Sequence, residues 1–157
     1  MGKVLILCLA AMSILGACGQ VSAPPSTPVV EAPEVSAPSW RSAADLDDVL
    51  VQAREEGKGV LVVVSAQWCG PCRILHRTVL DRQEFLPALQ DDVLFVMVHL
   101  EDFKPTLDEQ RAMAQFNVSA FPTYVVLDKS GKEVLRSVGS SGTLESHIAQ
   151  IKKALGK

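Results

Sequence analysis

The chain has 157 residues, room for one ordinary domain and hardly two. Its 48% hydrophobic content and mean hydropathy of +0.21 call for a real core plus an unusually apolar stretch at one end. A formal charge of −3 argues against a nucleic-acid partner and against an electrostatic membrane patch.

The apolar stretch is the start. Lys3 precedes an uncharged run from Val4 to Leu15. That is signal-peptide length, well short of the about 20 residues of a spanning helix. The run closes on Leu15-Gly16-Ala17-Cys18, which resembles the lipobox of bacterial lipoproteins. The resemblance implies a lipoprotein signal peptide over residues 1–17, cleavage before Cys18, and lipidation of Cys18. An ordinary secretory signal with a chance cysteine is the competing reading. Cys8 would leave with the leader as a plain apolar residue, and the loss of Lys3 would turn −3 into −4.

Residues 19–39 carry Pro24, Pro25, Pro28, Pro33 and Pro38 and no aromatic side chain. This composition reads as an extended, semi-rigid tether, so residues 18–39 form a lipidated cysteine plus Pro-rich spacer. At about 3.1 Å per residue it could hold a domain about 60 Å from a membrane. The folded domain is expected over residues 40–157. Ser42 is a plausible N-cap, and Leu46, Val49, Leu50 and Ala53 repeat at helical spacing until Gly57 stops the helix. Residues 60–65 are a continuous β-branched run, the mark of a strand buried on both faces. Helix is expected over 72–80 and around 83–90, a second buried strand over 93–100, and a helix over 107–116. Residues 123–128 and 132–139 read as strands joined by a tight Lys-Ser-Gly turn. Leu144, Ile148, Ile151 and Leu155 mark an amphipathic helix over 143–155. The alternation predicts an α/β fold with a mixed central sheet of about four strands flanked by helices.

Chemistry concentrates at Cys69 and Cys72. A Cys-x-x-Cys that follows a strand and opens a helix puts the first sulfur at the helix N-terminus, where free N–H groups and the dipole favour a thiolate. The second sulfur lies one turn on and can release a mixed disulfide formed by the first. Pro71 suits the first turn, where a missing N–H costs little. A purely structural disulfide would close too short a loop to stabilise much. A zinc site would need two more ligands, with only His76 nearby. Haem attachment wants histidine straight after the second cysteine, where Arg73 stands.

Trp68-Cys69-Gly70-Pro71-Cys72 matches the active-site motif of thioredoxins. Phe121-Pro122-Thr123 resembles the cis-proline segment of that family, and Gly139 after the last strand fits its pattern. The similarity spans roughly residues 42–155. The direct join of helix to strand through Glu-Gly-Lys-Gly looks most like the thioredoxin-like domains of periplasmic thiol reductases, which lack a leading strand. The resemblance implies a thioredoxin fold, Cys69 as attacking thiolate and Cys72 as resolving thiol. The Cys69–Cys72 disulfide would be the redox centre, with no separate cofactor and no metal. It further implies a cis Pro122 against the sulfurs and a Phe121 backbone free to pair with a substrate strand. Trp68, Gly70, Pro71 and Gly139 complete the implied substrate surface, with ordinary packing the competing role for Trp68.

The chain departs from that family at two places. Thioredoxins usually carry a buried aspartate six residues before the first cysteine, and here Val63 stands there. His76, one turn after Cys72, is the candidate replacement proton acceptor, against the plainer role of a half-exposed helix residue. Arg77 replaces the proline that kinks this helix in many thioredoxins, so a straighter helix is expected. His99 and His147 read as structural or surface residues. The function expected is a thiol–disulfide oxidoreductase at the periplasmic face of a bacterial envelope, reducing disulfides in exported proteins. A membrane electron-transfer protein would re-reduce it. The Gly-Pro pair between the cysteines favours this direction, since thioredoxin poises near about −270 mV and oxidising relatives near about −120 mV. A disulfide oxidase or isomerase and a metal-binding module are the alternatives.

Overall fold

The computed structural model describes residues 38–157. The expected leader, Cys18 and nearly all of the tether lie outside the described residues. Among these, five strands form one mixed sheet in the spatial order β1 (Arg41–Ser42), β3 (Val93–Leu100), β2 (Gly59–Ala66), β4 (Thr123–Leu127) and β5 (Glu133–Val138). Strand β2 (Gly59–Ala66) is buried at every position because it lies between β3 (Val93–Leu100), parallel to it, and β4 (Thr123–Leu127), antiparallel. Its period-2 alternation divides the core. Val60, Val62 and Val64 face Leu46, Val49 and Ala53 on one side, while Leu61 and Val63 face Leu75, Val79, Phe85 and Ile151 on the other.

The strand count corrects the expected four. Arg41–Ser42 form a two-residue β1 that pairs in parallel with Val96 and Met97 at the sheet edge. Two polar residues carry no alternation, so nothing in their pattern announces a strand. This leading strand also separates the chain from the strand-free entry expected of it. Just before it, Trp40 stacks on Phe85 at 6.3 Å and meets the edge of Phe95 at 5.5 Å.

Ser42 and Asp45 form a capping box over a single 3-10 turn, Ala43–Asp45, from which α1 (Leu46–Glu56) continues. Gly57 ends α1 in the left-handed region, at φ 67°. Helix α2 (Gly70–Leu75) opens the dithiol segment and then widens into a π turn, His76–Leu80, instead of running straight. Asp81 N–H closes that turn on His76 C=O at 2.9 Å, and the Thr78 hydroxyl donates to Ile74 C=O at 2.8 Å. Absence of proline removes a kink but does not impose a regular α pitch. Consecutive Val79 and Leu80 are both buried in the core within this turn.

Helix α3 (Phe85–Leu89) packs on the same side of the sheet, and α4 (Leu107–Gln115) starts from a Thr106–Glu109 capping box. Strands β4 and β5 (Glu133–Val138) form the expected hairpin, and α5 (Leu144–Ala154) starts from Thr143 and closes the fold. His147 on α5 is buried, its Nδ1 3.0 Å from the Tyr124 hydroxyl.

Two stability predictions follow from this packing. A Cβ on Gly59 would lie 2.5 Å from Leu127 O and 2.9 Å from Leu155 Cδ2. Gly59→Ala is therefore expected to lower unfolding free energy by about 1–3 kcal/mol, read from urea denaturation. Burial holds the pKa of His147 below its usual 6.5, because desolvation disfavours the imidazolium. The unfolded chain then binds more protons, so stability is intact above the usual value and falls as pH drops through the folded one. The urea midpoint should decline between pH 7 and 5, before the carboxylates titrate. His147→Leu should flatten that decline whatever it does to stability at pH 7. An equally steep decline in His147→Leu would refute the assignment.

Candidate active site

Strand β2 ends at Ala66, and the next turn delivers Cys69 as the N-cap of α2. Cys69 and Cys72 are joined as a disulfide with Cα atoms 5.2 Å apart. The Cys72 N–H donates to Cys69 Sγ at 3.1 Å. Cys69 keeps 7% of its surface exposed and Cys72 only 1%, so Cys69 is the sulfur a partner meets first. Pro71 sits in the first turn of α2, and Gly70 has open space around its Cα.

Of the other expected residues, Phe121 packs against the buried cluster that holds both cysteines. The Phe121–Pro122 peptide bond is cis. Gly139 N–H donates to Pro122 C=O at 2.8 Å and adopts φ 95°, a conformation that suits glycine. Among the described residues no backbone hydrogen bond engages Phe121. Trp68 meets Phe121 edge-on at 5.6 Å and stacks flat against Phe103 at 4.6 Å. Trp68, Phe103, Ile74 and Leu107 are all exposed, and the stacked Trp68–Phe103 pair forms an apolar collar beside the outer cysteine.

On the inner side, a cleft of about 280 Å³ is lined by Ala66, Gln67, Cys72, Arg73, His76 and His99. His76 thus shares a cleft with Cys72, but its ring nitrogens are engaged elsewhere. Nδ1 lies 3.2 Å from Asp81 Oδ1, and Nε2 lies 3.2 Å from Ser65 Oγ. Val63 is fully buried between Met97 and Tyr124 in the sheet register.

Sequence reasoning missed three residues here. Ser65 and His99 are cross-strand partners at the polar ends of β2 and β3, with Ser65 Oγ 2.6 Å from His99 Nδ1. His99 is therefore a cleft residue and not a bystander, whereas His147 is structural. Aligning the ends of the two apolar runs would have exposed the pair, since each run breaks to a single polar side chain at the same register. Phe103 is the third, a lone aromatic in the acidic turn Glu101-Asp102-Phe103-Lys104. The constellation as a whole is suited to exchanging a buried dithiol against a disulfide presented at the collar.

The thioredoxin-like domain family matches residues 46–154. The H-type thioredoxin of Fagopyrum esculentum is 34% identical over 89 residues, covering 57% of this chain and 67% of the relative. The thiol:disulfide interchange protein DsbD of Pseudomonas fluorescens is 29% identical over 93 residues, 59% of this chain but only 15% of that larger protein. Among solved structures, a DsbH oxidoreductase superposes with a TM-score of 0.65 over 89% of this chain and 96% of its own, and its 23% identity speaks for the fold alone. The chain belongs to the thioredoxin-like family and is a thiol–disulfide oxidoreductase.

Proposed function

We propose that this protein is a reductant of disulfides in exported proteins, held to a bacterial envelope by lipidated Cys18 and facing the periplasm. The observation that carries the chemistry is the Cys69–Cys72 pair at the start of α2, with Cys69 at the N-cap as the more exposed sulfur and Cys72 buried. In this reading Cys69 attacks a substrate disulfide, and Cys72 resolves the mixed intermediate. The cis Pro122 segment, braced by Gly139, presents the Phe121 backbone to an extended substrate strand, while Trp68 and the open Gly70-Pro71 turn form the contact face. The Gly-Pro pair supports the reducing direction. The leader pattern and the Pro-rich residues 18–39 support an envelope location, and the similarity to a thiol:disulfide interchange protein supports a disulfide-exchanging partner at the membrane as the source of electrons.

The purified protein is expected to reduce insulin with dithiothreitol as donor, and Cys69→Ala to abolish this activity. Turnover that survives in Cys69→Ala would overturn the assigned nucleophile. Equilibration against glutathione should give a potential closer to about −270 than to about −120 mV; a value above about −150 mV would move the protein to the oxidase class.

The anchor has its own test. Cys18→Ala should release the protein from the membrane fraction or leave it as uncleaved precursor, with thiol activity in vitro unchanged. Mass spectrometry showing an unacylated Cys18 in the mature wild-type protein would refute the lipoprotein reading.

A further inference from the structure

Beneath Cys72, five side chains form an unbroken polar line. Asp81 Oδ1 lies 3.2 Å from His76 Nδ1, and His76 Nε2 lies 3.2 Å from Ser65 Oγ. Ser65 Oγ lies 2.6 Å from His99 Nδ1, and His99 Nε2 lies 3.3 Å from Gln67 Oε1. Ser65 is completely buried in a strand that is otherwise apolar along its length, a costly place for a hydroxyl unless it is fully bonded. Both histidines line the cleft that Cys72 also lines.

Donor and acceptor chemistry limits how protons can be arranged along this line. An ionised Asp81 only accepts, so His76 Nδ1 carries an N–H. Two settings then satisfy the central bonds. In the first, His76 is neutral and its Nε2 accepts from the Ser65 hydroxyl, whose oxygen accepts from His99 Nδ1–H. His99 Nε2 is then bare toward the cleft, and the exposed Gln67 amide can turn its N–H to it. The second setting holds one proton more. His99 Nε2–H donates to Gln67 Oε1, the Ser65 hydroxyl donates to His99 Nδ1, and His76 is an imidazolium donating to both Ser65 and Asp81. A proton that enters at His99 Nε2 shifts each hydrogen by one bond and leaves its charge on His76, against the Asp81 carboxylate.

We propose that this His99–Ser65–His76 array accepts the proton of the Cys72 thiol, replacing a carboxylate in the strand. The proposal rests on the exchange reading of the cysteine pair. In the mixed disulfide, the Cys72 thiol gives its proton to His99 Nε2, and the resulting thiolate attacks Cys69 Sγ. The Cys69–Cys72 bond forms, and the bond from Cys69 to the substrate sulfur breaks. The substrate leaves as a thiolate with the electron pair and regains a proton from solvent or from the array as it resets. The dithiol is oxidised and the substrate disulfide reduced.

Three charged groups face the array. From α2, Arg73 lines the cleft and donates from Nη1 to Gln67 C=O at 3.1 Å. Beyond the π turn stands Asp81, and after β3 comes Glu101, with Oε1 3.9 Å from His99 Nε2. Arg73 opposes a charge that stays at the cleft and Glu101 favours it, while Asp81, at 3.2 Å against 3.9 Å, holds more firmly a charge that has moved to His76.

Ser65→Ala in the full chain is the discriminating variant, because it removes one oxygen from the middle of the line and leaves both histidines. Stopped-flow kinetics with a fluorescent peptide disulfide separates attack by Cys69 from resolution by Cys72. The expected result is resolution slowed roughly ten-fold or more at pH 7, with attack unchanged. The rate should also lose its pH dependence between pH 5.5 and 8. His99→Gln, at a half-buried position, should give the same loss. Ser65→Thr, which keeps the hydroxyl, should retain the wild-type profile. Val63→Asp in the Ser65→Ala background should recover part of the rate by restoring a carboxylate. Resolution in Ser65→Ala at the wild-type rate, or slowed with the wild-type pH profile intact, would overturn the array. Failure of the wild type itself to cleave the probe would instead remove the exchange reading on which the array stands.

Discussion

Everything in this protein hangs on the double-sided burial of one strand. Eight consecutive residues of β2 lie inside, held by β3 on one edge and β4 on the other, with helices over both faces. Such a strand cannot slip by one residue without exchanging the side chains of its two faces, so its register is tightly determined. That determinacy passes to the site. The loop after Ala66 starts from a fixed point, and the cis Phe121–Pro122 bond sits just ahead of β4 on the opposite edge. The cysteines and the proline segment meet because both grow from the same rigid centre, the general advantage of mounting reactive groups on loops at the ends of buried strands.

The same strand carries the chemistry at its far end. Seven of its eight residues have no hydrogen-bonding side chain, and the eighth, Ser65, faces the one place where β3 also turns polar. A carboxylate at Val63 would lie among Leu61, Leu75 and Tyr124 with apolar neighbours on every side. The polar function has instead moved two residues toward the open end of the sheet. There it is shared among side chains that can be hydrated from the cleft, which spares the core an isolated buried charge.

Much of this was legible beforehand, because the signals were local and strong. The continuous β-branched run, the Gly57 stop, the hairpin turn and the Cys-Gly-Pro-Cys sequence each fix a conformation through the residues that carry them. What escaped depended on partners distant in sequence. Strand β1 is two polar residues whose only strand-like property is the company of Val96 and Met97. The π turn is a matter of hydrogen-bond register in a segment whose composition suits an α-helix equally well. The Ser65–His99 contact joins positions 34 apart, and each alone reads as a polar break at a strand end. Placing His76 one turn from Cys72 was sound as helical spacing, yet it could not foresee that Asp81 and Ser65 would occupy both of its nitrogens.

The collar around Cys69 is assembled from unlike sources. Trp68 belongs to the turn that carries the cysteines, but Phe103 comes from the connection between β3 and α4, which contributes no sulfur and no cleft residue. The exposed apolar surface and the redox chemistry are therefore carried in part by separate pieces of chain. Changes in residues 102–106 would alter the apolar surface offered to a docking protein without touching the dithiol turn or the polar line beneath it. A lineage could diversify its targets through that short connection while electrons continue to move at one unchanged potential.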